Sequence, residues 1–119
     1  MAALTVQNLV RSGLEHTTAS AAGGGDSFVN NGRTFFLITN GAGSDMTVTF
    51  AAQNTSVTKP GFGTLTASNV AVVVTAGETR LCGFFEPAIF NNSSNAVAVT
   101  YSSATSVTVA AISCPMPAK

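Results

Sequence analysis

The chain has 119 residues with five lysine or arginine and five aspartate or glutamate, a net charge of zero, and only 8% charged residues where about 25% is usual in a soluble domain. That length suits one domain, which would bury roughly two-thirds of its unfolded surface. Without clustered cations there is no long-range pull on phosphate backbones or anionic lipid, so nucleic-acid and membrane-surface binding are excluded as the main function.

What remains is a surface of threonine, serine, alanine and asparagine. It is easily dehydrated against another protein, because few ions lose their water when it is covered. Near-zero net charge also favours association, so the surface is read as one meant for contact.

The opening MAALTVQNLVRSGL has neither a cationic start nor a continuous apolar run. It reads as neither signal peptide nor membrane anchor, and synthesis is expected to end in the cytoplasm. Thr5 to Gly13 is expected as a short helix, capped by Thr5 and stopped by Gly13, or as an extended arm whose apolar residues dock on a neighbour. Glu15 to Gly25 is small and flexible and predicts a loop with little structure of its own. Residues 1–27 therefore read as an arm, 28–113 as a single β domain and 114–119 as a tail.

Arg33 to Thr39 (RTFFLIT) is apolar on both alternating faces, as in a strand covered on two sides. A turn over residues 40–45 leads to Met46–Phe50 (MTVTF), where Met46, Val48 and Phe50 point one way and Thr47 and Thr49 the other. The pair predicts a hairpin. Gln53 to Asn69 shows no clear strand and is long for a connection, which predicts a role or a short strand of its own.

Val70 to Thr75 and Thr79 to Phe85 predict a second hairpin turning at Ala76-Gly77-Glu78, with Val72, Val74, Leu81, Phe84 and Phe85 in the core. Glu86-Pro87 ends it, because proline cannot donate to a ladder. A third hairpin is expected from Ala96–Tyr101 (AVAVTY) and Ser106–Ile112 (SVTVAAI). One face would hold Val97, Val99, Tyr101, Val107 and Val109. The other would be a flat sheet of Ala96, Ala98, Thr100, Ser106, Thr108 and Ala110, fit to hold a second sheet or a partner. The whole predicts an all-β fold, an antiparallel sandwich or jelly-roll-like barrel of six to eight short strands with a short N-terminal helix or arm.

Catalytic equipment is sparse. His16, the only histidine, sits beside Glu15 on an expected flexible segment, with Asp26 across a glycine run, where a triad would have to be held on mobile backbone. Cys82 and Cys114 match no zinc spacing, and five scattered carboxylates form no ligand cluster, so no metal and no cofactor are expected. Free thiols are the default for these two cysteines in a reducing compartment, with a disulfide as the alternative. Gly23-Gly24-Gly25 lacks the lysine of a phosphate cradle and reads as a hinge.

A carbohydrate-binding module is a rival reading, weakened because the chain has no tryptophan and one tyrosine with which to stack a sugar. Phe62, between Gly61 and Gly63, is presented as a plug for a neighbour or an anchor to its own core.

Four phrases, TVQNLVRSGL (5–14), NNGRTFFLITNG (30–41), VTAGETRLCGFF (74–85) and VTYSSATSVTVAAI (99–112), resemble in this order small head proteins of tailed bacteriophages. These are decoration or cement proteins on the outside of an icosahedral capsid. The resemblance implies a small β fold without catalytic residues, made in the host cytoplasm. It also implies that the protein sits on the outer surface of the virion head, often as a homotrimer, and clamps capsomers of the major capsid protein. Another phage part, such as a head fibre, neck or tail component, shares the pattern. From the residues themselves, Leu4, Val6, Leu9 and Val10 are expected to dock on the capsid or an adjacent subunit, or to close the bottom of the core, and Phe62 is the further candidate contact.

Overall fold

Period-two alternation carries most of the architecture. The computed structural model describes residues 2–54 and 56–114. In chain order the strands are β1 (Ala2–Ala3), β2 (Val6–Asn8), β3 (Ala19–Ser20), β4 (Asp26–Val29), β5 (Thr34–Asn40), β6 (Met46–Phe50), β7 (Ser56–Lys59), β8 (Gly63–Thr66), β9 (Val70–Val74), β10 (Thr79–Cys82), β11 (Ala96–Tyr101) and β12 (Val107–Ser113). One short helix, α1, covers Pro87–Phe90. The strands form two stacked sheets, β1-β4-β11-β6-β9 and β10-β5-β12-β2, with β3 also on the free edge of β12 and β7-β8 as a separate ribbon. Taking β3 with β4, β5, β6, β9, β10, β11 and β12, every neighbouring pair is antiparallel, and the interleaved order is that of an eight-stranded jelly roll.

The core is aromatic. Phe28, Phe36, Phe50, Phe85 and Phe90 link in a chain of ring pairs, with centroids 4.5 Å apart for Phe50 and Phe85 and 5.4 Å for Phe36 and Phe50. Val48, Val74, Val97, Val99, Val107 and Val109 fill the space around them. Each fully buried valine or phenylalanine contributes roughly 1.5–3 kcal/mol relative to exposure.

None of the three expected hairpins forms. β5 and β6, β9 and β10, and β11 and β12 each lie in opposite sheets, so every one of these turns is an arch over the core. Two buried asparagines hold the ends. The Asn40 amide donates to the carbonyls of Ser44 (2.9 Å) and Val74 (3.0 Å), and the Asn40 Oδ1 accepts from the Ala42 N–H, which ties two arches at one end. At the other end the Asn30 amide donates to the Phe85 carbonyl (3.0 Å) and to Asn91 Oδ1 (2.8 Å). Such bonds satisfy buried backbone groups that a hairpin would have paired within one sheet.

Three further expectations change with this topology, and one is met. The stretch from Thr5 to Gly13 is not helical, because β2 pairs in parallel with β12 and draws its backbone bonds from a sheet edge instead. A helix of nine residues would be marginal alone. The small-residue face of β11 and β12 is divided, since Ala98 and Thr100 belong to one sheet and Thr108 and Ala110 to the other. Leu81 and Phe84 are not core residues but are 66% and 61% exposed. The Cys82↔Phe36 and Leu81↔Leu37 register turns Cys82 inward and so sends Leu81 out. The segment 53–69 does have strand structure of its own, as its length led one to expect: the two strands of the β7-β8 hairpin.

Residues 1–27 contribute to both sheets. β1 adds to the edge of β4, the Leu4 amide donates to the Ser27 carbonyl, and β2 adds to β12, so one short stretch crosses from sheet to sheet. Beyond Cys114 the expected tail lies outside the described residues.

Candidate functional site

Outward positions follow directly from the register. On the β4-β11-β6-β9 layer, Ser27 lies beside Ala98, Thr49 between Thr100 and Ala71, and Thr47 beside Val73. This is a flat floor of small hydroxyl and methyl groups. On the other layer, Thr79, Thr39 and Thr108 form one row, Leu81, Leu37 and Ala110 the next, and Phe35 and Ile112 the third, with Ala110 and Ile112 themselves buried. Among the described residues, no outward position of these strands carries a charge. The residues of charged type lie in connections, apart from buried Asp26, Lys59 in the ribbon sequence and Arg80, whose register with Ile38 places it at the sandwich edge. Antiparallel sheets that face water ordinarily alternate apolar residues with solvated polar ones, and their edges carry charges that deter partners.

The second face has relief. Phe84 meets Phe35 edge-on, with centroids 6.2 Å apart. Together with Leu81, Cys82 and Gly83 they line an open groove of about 250 Å³. Gly83 makes the close approach possible: at φ +144° it occupies backbone space that suits glycine, and a Cβ there would stand 3.0 Å from the Cβ of Phe35. Around the edge, Val70, Val72, Leu81, Phe85 and Phe90 line a second cleft of about 320 Å³ between the sheets.

The candidate contacts separate into two sets. Leu4 and Val6 pack against the core. Leu9 and Val10, each 47% exposed, follow β2, while Phe62 is 83% exposed at the tip of the β7-β8 ribbon. Phe35, Leu37, Leu81 and Phe84 were missed as surface groups. The signal was present in RTFFLIT and TRLCGFF, where apolar residues occupy both phases of the alternation, so one phase must face outward unless a third layer covers it.

Among the described residues, no catalytic constellation comes together. His16 is exposed, and Asp26 is fully buried, its Oδ2 accepting the Tyr101 hydroxyl at 2.6 Å and the Ala22 amide at 3.2 Å. Burial, and then the bond to Asp26 and its charge, hold the Tyr101 hydroxyl far above its ordinary pKa. Burial also raises the Cys82 thiol, and both cysteines are unpaired. At the edge, Arg80 bonds Glu78 at 3.1 Å and holds that carboxyl below its usual value. Among the described residues, no three His, Cys, Asp or Glu side chains converge, and no helix is long and apolar enough to cross a membrane. No protein-family model, curated protein or solved structure matches the chain.

Proposed function

We propose that this chain is a non-enzymatic virion protein, a decoration or cement protein that binds the outside of a tailed-phage head and stabilises contacts between capsomers of the major capsid protein. The observation that carries the reading is the absence of charge from the outward positions of both sheets. Covering such faces removes water from hydroxyls and methyls and strands no ion. The resemblance of four phrases, spread from Thr5 to Ile112, to small phage head proteins supplies the identity of the surface to be covered. The fold alone does not, since jelly rolls serve capsid, lectin and cupin domains alike.

The flat floor around Thr49 and Ala98 is the face assigned to the shell. Four strands about 4.8 Å apart and about five residues long span roughly 300 Å², well under the ~800 Å² that each partner gives to a stable pair. A single floor therefore holds weakly. Firm attachment comes from several such contacts on one shell acting together, so that effective concentration replaces single-site affinity. The added contacts must break before capsomers separate under the pressure of packaged DNA.

Pelleting capsid shells that lack this protein with increasing amounts of the purified chain tests the reading. Saturation at a fixed ratio to the major capsid protein is expected, with density on the outer surface of the head. Density at the neck or tail would make it another phage part. Failure to pellet, together with capture on a glycan array, would replace it with a sugar-binding module.

A further inference from the structure

We propose that copies of this chain join head to tail, with Phe62 of one copy seated in the groove formed by Phe35, Leu81 and Phe84 of the next. Five of the eight phenylalanines stack in the core. The three outside it are Phe35 and Phe84, which make the groove, and Phe62, which makes the tip. A single chain thus presents an aromatic projection and an aromatic recess with no internal use for either.

The tip stands clear of its own body. Gly61 and Gly63 flank Phe62 at φ +82° and +81°, and a Cβ built at either would meet nothing within 4 Å. Among the described residues β7 and β8 pair only with each other, and the ribbon they form is the connection from β6 to β9 of one sheet, whereas the groove is lined from β5 and β10 of the other. The recess is large enough for a ring: a cavity of ~150 Å³ lined by apolar side chains holds benzene, and this open groove measures about 250 Å³. Neither Pro60-Gly61-Phe62-Gly63 nor the groove lining carries a charge, so inserting the ring itself strips no ion of water.

The tip and the groove edge are apolar and open: Phe62, Leu81 and Phe84 are 83%, 66% and 61% exposed, and contact between copies would cover them. Because tip and groove are different surfaces, every copy offers one of each, and the contact repeats from copy to copy.

The test is sedimentation velocity on the full chain without shells, so its outcome is separate from that of capsid binding. From about 1 μM to about 100 μM, the range that brackets weak specific contacts, the wild type is expected to form multiples of the 12.0 kDa chain. Phe62→Asp and Phe84→Asp should each sediment as single chains, with the dissociation constant raised at least about 30-fold. Both positions are exposed, so melting temperature and circular dichroism should match wild type; Leu81→Ser replaces Phe84→Asp if the latter melts early. Mixed together, the two variants should form a one-to-one dimer and nothing larger, because one intact groove meets one intact tip. A wild type that stays single at the highest concentration overturns the proposal. So does assembly that survives both substitutions, or a mixture that remains monomeric.

Discussion

The outside of one sheet is a floor of Ser27, Thr47, Thr49, Ala71, Ala98 and Thr100, while the outside of the other carries Phe35, Leu37, Leu81 and Phe84 around a groove. Both obey the same alternation, and both lack charge. They differ in side-chain size at the outward positions, and size decides what each can hold. A floor of small groups gains contact only from another broad, flat surface, and its affinity comes from area and repetition. A recess edged by aromatic rings gains contact from one inserted side chain, and its affinity is concentrated in a few residues near the centre. Two uncharged faces on one sandwich are thus suited to different kinds of surface.

The largest expected effect comes from the alternation that creates the faces. Phe50→Ala, on the inward side of β6, should lower the unfolding free energy by about 3–5 kcal/mol in a denaturant titration. Thr49→Ala, the adjacent outward residue, should change it by less than about 0.5 kcal/mol. Equal effects would mean that the two sides of β6 are not distinct.

Next, the double substitution Thr49→Lys/Ala98→Lys places two ammonium groups on the floor. It should weaken retention on shells at least about 30-fold through their desolvation, with melting unchanged and sedimentation as wild type. A loss of self-association in that variant would merge the faces that the comparison separates.

Tyr101→Phe sharpens the same contrast from inside, because it leaves buried Asp26 with only the Ala22 amide. It should cost about 1–3 kcal/mol. The Tyr101 hydroxyl is raised above its ordinary pKa in the folded state. The stability it contributes is therefore complete below the unfolded value near pH 10 and declines as pH rises beyond it. Wild-type melting should fall in that alkaline range, and the Tyr101→Phe variant should fall less steeply.

The smallest effect is expected from Leu9→Ser/Val10→Ser, which trims two half-exposed residues beside the sandwich edge. Shell retention should drop about three-fold, on the scale of a single methylene's burial. Point changes are the proper probe here, since deleting residues 1–14 would strip β1 and β2 from both sheets.

Much of the fold was legible in the sequence. The strands at 34–40, 46–50, 70–74, 96–101 and 107–113 follow from alternation that Met46, Val48 and Phe50 or Val97 and Val99 display plainly. Which strand neighbours which was not legible, because alternation fixes the buried face of a strand and says nothing of its partner. The arches depend on Asn40 and Asn30, whose burial and long-range bonds to Val74, Phe85 and Asn91 have no local signature. Phe62 was legible as a presented aromatic because two glycines bracket it. The groove was not, because Gly83, Phe35 and Phe84 meet only through the β5-β10 pairing.

One measurement bears most directly on adhesion through uncharged faces: the shell-binding isotherm of the purified chain at about 50 mM and at about 500 mM salt, concentrations across which exposed charges become strongly screened. Saturation at the same ratio, with midpoints agreeing within about two-fold, is the result expected of contacts that contain no ions. A midpoint that moves ten-fold or more, or no saturation at either concentration, would contradict it.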